Sequence, residues 1–262
     1  MSGVLEIFER CAVRRHRERA AAMVERVAPV LAEAAERLIE RLDDTTRRFA
    51  LALDLGGRGV VAPLLRAREI TVIPADLSPR MAARNGPLAV AADEEWLPFA
   101  PVTFDLVTAN LSLHWVNDLP GALVQIRSVL KPDGLFLASL PVLGTLDALR
   151  TALAEAEATL SGGAAPRVSP FPTLGDCARL LQRAGFAAPV ADLDTIRLAY
   201  ADPLALLHDL RAAGETNAVR LRERRTPPRA LFAAALASLP AQGEKIPIEL
   251  SMAMLTGWAP PL

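Results

Sequence analysis

Ala50-Leu51-Ala52-Leu53-Asp54-Leu55-Gly56-Gly57-Arg58-Gly59 is an apolar run closed by an acid and a cluster of glycines. A short apolar run bounded by turn residues reads as a buried strand, and glycine supplies the tight turn after it. Ala50 to Leu55 is therefore the strand, Gly56, Gly57 and Gly59 the turn, and Val60 to Ala67 the helix that follows. Strand, glycine turn and helix open a doubly wound sheet, in which a ligand sits beyond the carboxyl ends of the strands.

Working outward, the alternation continues with strand Ile70 to Ala75, a helix after Ser78-Pro79, strands Leu88 to Ala92 and Phe104 to Ala109, helix Leu119 to Leu130 and strand Leu135 to Leu140. Ser78 before Pro79 is a helix start, and Lys131-Pro132-Asp133-Gly134 a helix stop with a turn. Helix Thr145 to Leu160 then leads into a Gly/Pro-rich loop, Ser161 to Pro172, long enough to act as a lid, and into helix Leu174 to Ala184, ended by Gly185. Strands Val190 to Leu198 and Ile246 to Trp258 enclose helices Pro203 to Ala213 and Pro228 to Leu239, as a closing antiparallel strand with helical insertions before it would. Upstream, Leu5 to Leu42 is helical, with apolar residues Met23, Val27, Val30, Leu31, Ala34 and Leu38 three and four apart. The expectation is one α/β domain over residues 1–262, doubly wound, with a mostly parallel seven-stranded sheet. Residues 1–48 form a helical cap, 49–140 a cofactor-binding half and 141–262 a substrate and lid half.

Composition narrows the function. The formal net charge of −1 provides no general field for nucleic acid, so no nucleic-acid partner is expected. No apolar stretch reaches the roughly 18 residues of a membrane span, and neither a secretory signal nor an acid-poor transit peptide is visible, which leads to the expectation of a cytoplasmic protein. Cys11 and Cys177 make no Cys-x-x-Cys, and His16, His114 and His208 head no His-x-Asp or His-x-Glu pair, so no protein-bound metal is expected.

The chemistry-bearing residues gather at the strand ends. Asp54 closes the first strand; Asp76 follows the second, 22 residues on, the spacing at which an acid meets ribose hydroxyls. Asp93 and Glu94 follow the third strand and Asn110 the fourth. Any one acid alone reads equally as a helix cap, whereas the set favours a nucleoside-type ligand. His114 and Trp115 lie just past the fourth strand, and Glu215 and Asn217 occupy a polar loop between late helices. The basic runs 14–19 and 220–229 read as solvated faces or as a seat for an acidic partner.

Leu53-Asp54-Leu55-Gly56-Gly57-Arg58-Gly59, Ala75-Asp76-Leu77-Ser78-Pro79, Ala92-Asp93-Glu94-Glu95-Trp96, Phe104-Asp105-Leu106-Val107 and Leu130-Lys131-Pro132-Asp133-Gly134 resemble the ordered motifs of class I S-adenosylmethionine methyltransferases, a Rossmann-like fold. Asn110-Leu-Ser-Leu-His-Trp115, Ser169-Pro-Phe171, Gly214-Glu-Thr-Asn217 and Thr256-Gly-Trp258 resemble, more narrowly, the branch of the biotin-pathway malonyl-carrier-protein methyltransferases and the mitochondrial complex I assembly factor with arginine-hydroxylase activity. The resemblance implies S-adenosylmethionine as cofactor. It implies that Asp54, Gly56, Gly57 and Gly59 face its methionine part, Asp76 its ribose, and Asp93 and Glu94 its adenine. Asn110 and His114 then border the reacting centre as catalytic candidates, and Trp115, Glu215 and Asn217 face the substrate. The family turn, Asp-x-Gly-x-Gly-x-Gly, is one residue longer than the turn here, where Gly57 directly follows Gly56. Three functions follow from the resemblance: methyl transfer to a protein- or carrier-bound acceptor, arginine hydroxylation on a complex I subunit, or a non-catalytic assembly role with weakened cofactor binding.

Overall fold

The computed structural model describes residues 5–163 and 165–261. Seven strands form one sheet in the order β3-β2-β1-β4-β5-β7-β6, with β1 at Leu51–Leu55, β2 at Thr71–Asp76, β3 at Val90–Ala91, β4 at Phe104–Asn110, β5 at Leu130–Pro141, β6 at Ala187–Tyr200 and β7 at Ile246–Trp258. β1 to β5 pair in parallel, and β7 runs antiparallel to both β5 and β6. After β1 the chain moves out through β2 to β3, then returns to place β4 on the other side of β1. The strand order therefore reverses between β1 and β4, beside Leu55 and Ala109, and the crevice outside this point is where such sheets bind ligands.

Successive strand residues face opposite sides, and both sides are covered. Ala52, Val72, Leu106 and Leu137 pack on one face against Leu31, Ala34 and Leu38 of α2 (Ala28–Glu40) and Val61 and Leu65 of α3 (Val61–Arg66). Leu53, Val107, Phe136 and Leu255 pack on the other against Leu123 and Ile126 of α5 (Leu119–Val129) and Leu181 of α7 (Leu174–Arg183). A third cluster joins α6 (Asp147–Ser161), α8 (Pro203–Ala213) and α9 (Arg229–Ala237) to Ile246 and Ile248 of β7. The short helix α4 (Pro79–Ala83) starts as expected, Ser78 accepting the Met81 amide at 3.1 Å with Pro79 in the first turn.

The structure corrects several boundaries. The N-terminal stretch is broken into α1 (Arg10–Ala20), a 3-10 turn at Val24–Val27, α2 and a second 3-10 turn at Arg41–Asp44. Pro29 restarts the helix, because it lacks the N–H that an interior position needs and suits the first turn. The strand at Leu88 shrinks to Val90–Ala91, an edge element entered after Gly86-Pro87. Lys131-Pro132-Asp133-Gly134 lies within β5 as an irregularity with Asp133 at φ 58°, and β6 lengthens along its antiparallel pairing with β7.

Leu106 is fully buried in a central strand. Leu106→Ala should lower the unfolding free energy by about 2–5 kcal/mol in urea titrations, through lost burial and the cavity left behind.

Candidate functional site: an acid-lined cleft under an arginine-bearing helix

Asp54 is fully buried at the end of β1. Its Oδ1 accepts the Thr108 hydroxyl at 3.3 Å, while Oδ2 has no hydrogen-bond partner. Burial, with the nearby Asp76 charge, pushes its carboxyl up to about 7 against the Thr108 hydrogen bond. Gly56 follows with φ 76°, and a Cβ there would lie 2.2 Å from the Ser112 Cβ, so only glycine fits against that loop. The amides of Gly56 and Gly57 both donate to the Ala75 carbonyl, at 2.7 and 3.2 Å. The first two N–H groups of the turn thus continue the β1–β2 pairing. The shortened loop closes on the sheet.

Asp76, at the end of β2, accepts the Ser78 amide at 2.8 Å and pairs with Arg17 of α1, Nη1 to Oδ2, at 2.8 Å. Both side chains are buried, at 2% and 0% exposure. Burial alone would weaken the Arg17 guanidinium's hold on its proton, yet Asp76, Glu94 and Glu215 together strengthen it, so the group is firmly cationic. Arg10, two turns earlier on the same helix face, pairs with both Asp93 and Glu94 and donates to the Trp115 carbonyl at 3.1 Å. The acids assigned to ribose and adenine therefore each carry a guanidinium from α1. A third guanidinium, Arg58 from the glycine turn, is bonded to the carbonyls of Asn110 and Leu111 and to Glu215 at 2.9 Å.

Glu215 joins the late loop to the region past β4. Its Oε2 accepts from Trp115 Nε1 at 2.7 Å and meets His114 Nε2 at 2.7 Å. Burial would raise its carboxyl, but His114, Arg58 and Arg17 outweigh that and hold it far below the usual carboxylate range. With Nε2 facing the carboxylate, His114 Nδ1 is the nitrogen left without a partner. His114, Trp115, Glu215 and Asn217 all line a cavity of about 580 Å³ bounded by Leu149, Leu206 and Phe171. Three of the four substrate-side candidates thus form one hydrogen-bonded group. Asn217 is held separately, donating to the Pro166 carbonyl at 2.7 Å and accepting the Val219 amide at 3.0 Å.

Asn110 departs from its expected place at the reacting centre. Its side chain donates to the Leu31 carbonyl at 3.0 Å and accepts the Ser139 hydroxyl at 2.7 Å, which fastens β4 to the cap and to β5. Only its backbone carbonyl meets Arg58.

Arg10, Arg17 and Arg58 were not among the sequence candidates. The first two had a signal, since Arg10, Val13, Arg17 and Ala20 recur at spacings of three and four, the period of one helix face, and three of these four are buried. The basic runs also resolve: Arg220 pairs with Glu6 and Arg222 with Glu9, so the second run ties the late loop to the N-terminal segment. Phe8 bridges to Val219 by backbone pairing, and Asn117 holds the Phe8 backbone. Helix α1 and the loop carrying Glu215 form one cover.

A glycine turn at the switch point, with buried acids at the ends of β1 and β2 and after β3, stands where doubly wound sheets of methyltransferase type bind a nucleoside cofactor. The chain belongs to the class I S-adenosylmethionine methyltransferases: a methyltransferase-domain family model matches residues 16–188. It is 41% identical to the human mitochondrial arginine-hydroxylase NDUFAF5 over 222 residues, 81% of this chain and 64% of that protein. It is 35% identical to the malonyl-[acyl-carrier protein] O-methyltransferase of Xylella fastidiosa (strain M23) over 275 residues, covering 99% of this chain and 90% of that one. The match thus spans a little under two thirds of the human relative's length. Among solved structures, the YcgJ protein from Bacillus subtilis aligns with a TM-score of 0.60 at 15% identity over 87% of this chain and 99% of that chain. The methyltransferase bound to the Trm112 activator from Haloferax volcanii also gives 0.60, at 16% identity over 95% and 98%. These two likenesses concern the fold. No helix among the described residues is long and apolar enough to cross a membrane.

The residues present fit S-adenosylmethionine. The carboxylates of Asp76 and Glu94 can accept from ribose hydroxyls and an adenine amine once Arg17 and Arg10 release them, and the unpartnered Oδ2 of Asp54 is a free acceptor for the ammonium of the methionine part.

Asp54 also links the cleft to pH. Its folded-state pKa, about 7, lies above the unfolded 3.8. Between these values the folded state binds the extra proton, so stability falls as pH rises through the window and levels off above it. Asp54→Asn, which cannot ionise, should raise the melting temperature relative to wild type more at pH about 8 than at pH about 5. Thermal melts across this range provide the check, and an equal shift at both pH values would contradict the assignment.

Proposed function

We propose that this protein transfers a methyl group from S-adenosylmethionine to a protein- or carrier-bound acceptor lodged in the cavity beside His114. The observation that carries this reading is the hydrogen-bonded His114-Trp115-Glu215 group, which lines the cavity and is joined through Arg58 to the cleft at the switch point. Asp54, Asp76, Asp93 and Glu94, with Gly56, Gly57 and Gly59, form the cofactor side. Trp115 and Asn217 border the acceptor.

S-adenosylmethionine supplies an electrophilic methyl group when bound. The chain's own contribution is to align the acceptor and keep water away, with α1 and the Glu215 loop as the cover. Glu215 fixes the His114 ring with Nε2–H toward its carboxylate, and the buried, unpartnered Nδ1 takes the acceptor's proton once entry of the acceptor opens a path to it. Glu215 is a positioning residue in this scheme, and His114 the base. His114→Gln should lower kcat by about 10²–10⁴-fold, typical of lost general-base catalysis, with S-adenosylmethionine affinity retained in calorimetric titration. Unchanged turnover would make His114 structural.

Because Arg17 and Arg10 hold the acids that the adenosine moiety would take, cofactor entry must move α1. Arg17→Met leaves Asp76 without its partner, and breaking a buried pair costs about 3–5 kcal/mol, so the protein alone should melt earlier. Added S-adenosylmethionine should then raise its melting temperature more than it raises that of wild type. A smaller rise would show that Arg17 assists the cofactor instead of competing with it.

A second reading, hydroxylation of an arginine on a respiratory complex I subunit, is favoured by the 41% identity to the human arginine-hydroxylase. A third, an assembly protein with weakened cofactor binding, is favoured by the glycine-turn amides being bonded to Ala75. Mass spectrometry of acyl carrier protein and of complex I subunits incubated with the enzyme separates the three, since methylation adds about 14 daltons, hydroxylation about 16 and an assembly role neither.

A further inference from the structure

The cavity is far larger and more apolar than the alignment of one small polar group requires. Its volume of about 580 Å³ falls in the range of about 300–1,000 Å³ that accommodates ligands of drug size. Leu149, Leu153, Leu206, Leu210, Phe232 and Ile248 contribute to its wall, from α6, α8, α9 and β7. These elements belong to the third hydrophobic cluster, which surrounds the space instead of closing it. A lining of this kind recognises hydrocarbon by area removed from water, and each buried methylene contributes about 0.8 kcal/mol.

Charge at the open side is uneven. Arg19 and Arg211 line the cavity, are solvent-exposed, and have no ion-pair partner among the described residues. Of the acids nearby, Asp209 is held by Arg26 and the Tyr200 hydroxyl and Glu215 by Arg58, His114 and Trp115, while Glu223 accepts only the Arg225 amide among the described residues and keeps its charge, against the two of Arg19 and Arg211. Arg167 and Arg222 are themselves paired, with Glu157 and Glu9. Two free guanidinium groups remain above an apolar chamber.

We propose that this chamber binds the aliphatic chain of an anionic amphiphile, a medium-chain carboxylate, with the anionic group held by Arg19 and Arg211. This chain site is separate from methyl transfer, and its occupancy can be measured without turnover. The chain lies along the wall built by α6, α8 and α9, with the anionic end toward solvent at Arg19 and Arg211. A short polar acyl group would leave most of the wall without contacts.

The test is calorimetric titration of the full chain with dodecanoate below its micelle concentration, beside butanoate and dodecyltrimethylammonium. Dodecanoate should bind at least about tenfold more tightly than either control, since one lacks the chain and the other the anionic head. Leu149→Trp, which fills the chamber, should weaken dodecanoate by at least about tenfold, and the exposed double change Arg19→Glu with Arg211→Glu should bring dodecanoate and the cationic control to similar affinity. Dodecanoate binding no tighter than butanoate, or unaltered in both variants, would overturn the proposal. The Arg19→Glu/Arg211→Glu variant keeps the test open if Leu149→Trp fails to fold. S-adenosylmethionine titrated into the same samples reports on the cofactor side separately, so loss of the chain site with cofactor binding intact refutes only this inference.

Discussion

The buried pair between Arg17 and Asp76 is the interaction on which the arrangement of the cleft depends. It joins the N-terminal helix to the end of the second strand at a place where neither charge reaches water. Removing two ions from water is expensive, and their attraction offsets the cost only when the geometry is good and the remaining polar atoms are satisfied. Here the second Asp76 oxygen takes the Ser78 amide, and Glu94 and Glu215 add their fields to hold the guanidinium charged. The consequence is positional: α1 lies over the strand ends, Arg10 reaches the third acid cluster, and Gly214 packs against Arg17, which brings the Glu215 loop into the same cover.

That arrangement explains how cofactor side and acceptor side are divided. Arg10 and Arg17 hold the strand-end acids, Arg58 holds Glu215, and of the three only Arg58 lines the cavity. Ribose and adenine are uncharged, so a nucleoside that takes these acids must first displace the guanidinium groups that hold them. Asp54 differs from its neighbours because no guanidinium bonds to it; it keeps a free oxygen, and burial raises its carboxyl to about 7, as burial also raises that of Asp76.

The sheet and most of its punctuation were legible in the sequence. Apolar runs of strand length, Ser78-Pro79 and the glycine turn are local signals, and local signals survive folding because backbone sterics and hydrogen-bond geometry act over a few residues. The acids were legible for the same reason: in a doubly wound sheet, a polar residue at a strand end must lie at the crevice. Where the reading failed, a longer-range contact had intervened. Asn110 looked like a site residue by position, but the cap carbonyl of Leu31 and the hydroxyl of Ser139 took both ends of its amide. Glu215 and His114 lie 101 residues apart, and only the closing of the late loop over β4 makes them a pair.

The sequence by itself determined the class of fold, the ends of the strands and the chemical character of the cleft, because these follow from periodicity, turn residues and the direction of the chain. The tertiary structure alone decided which charges neutralise one another. Ion pairing depends on distance between elements far apart in the chain, and no local pattern specifies whether an arginine in a basic run faces solvent or, as Arg17 does, an aspartate 59 residues away at zero exposure.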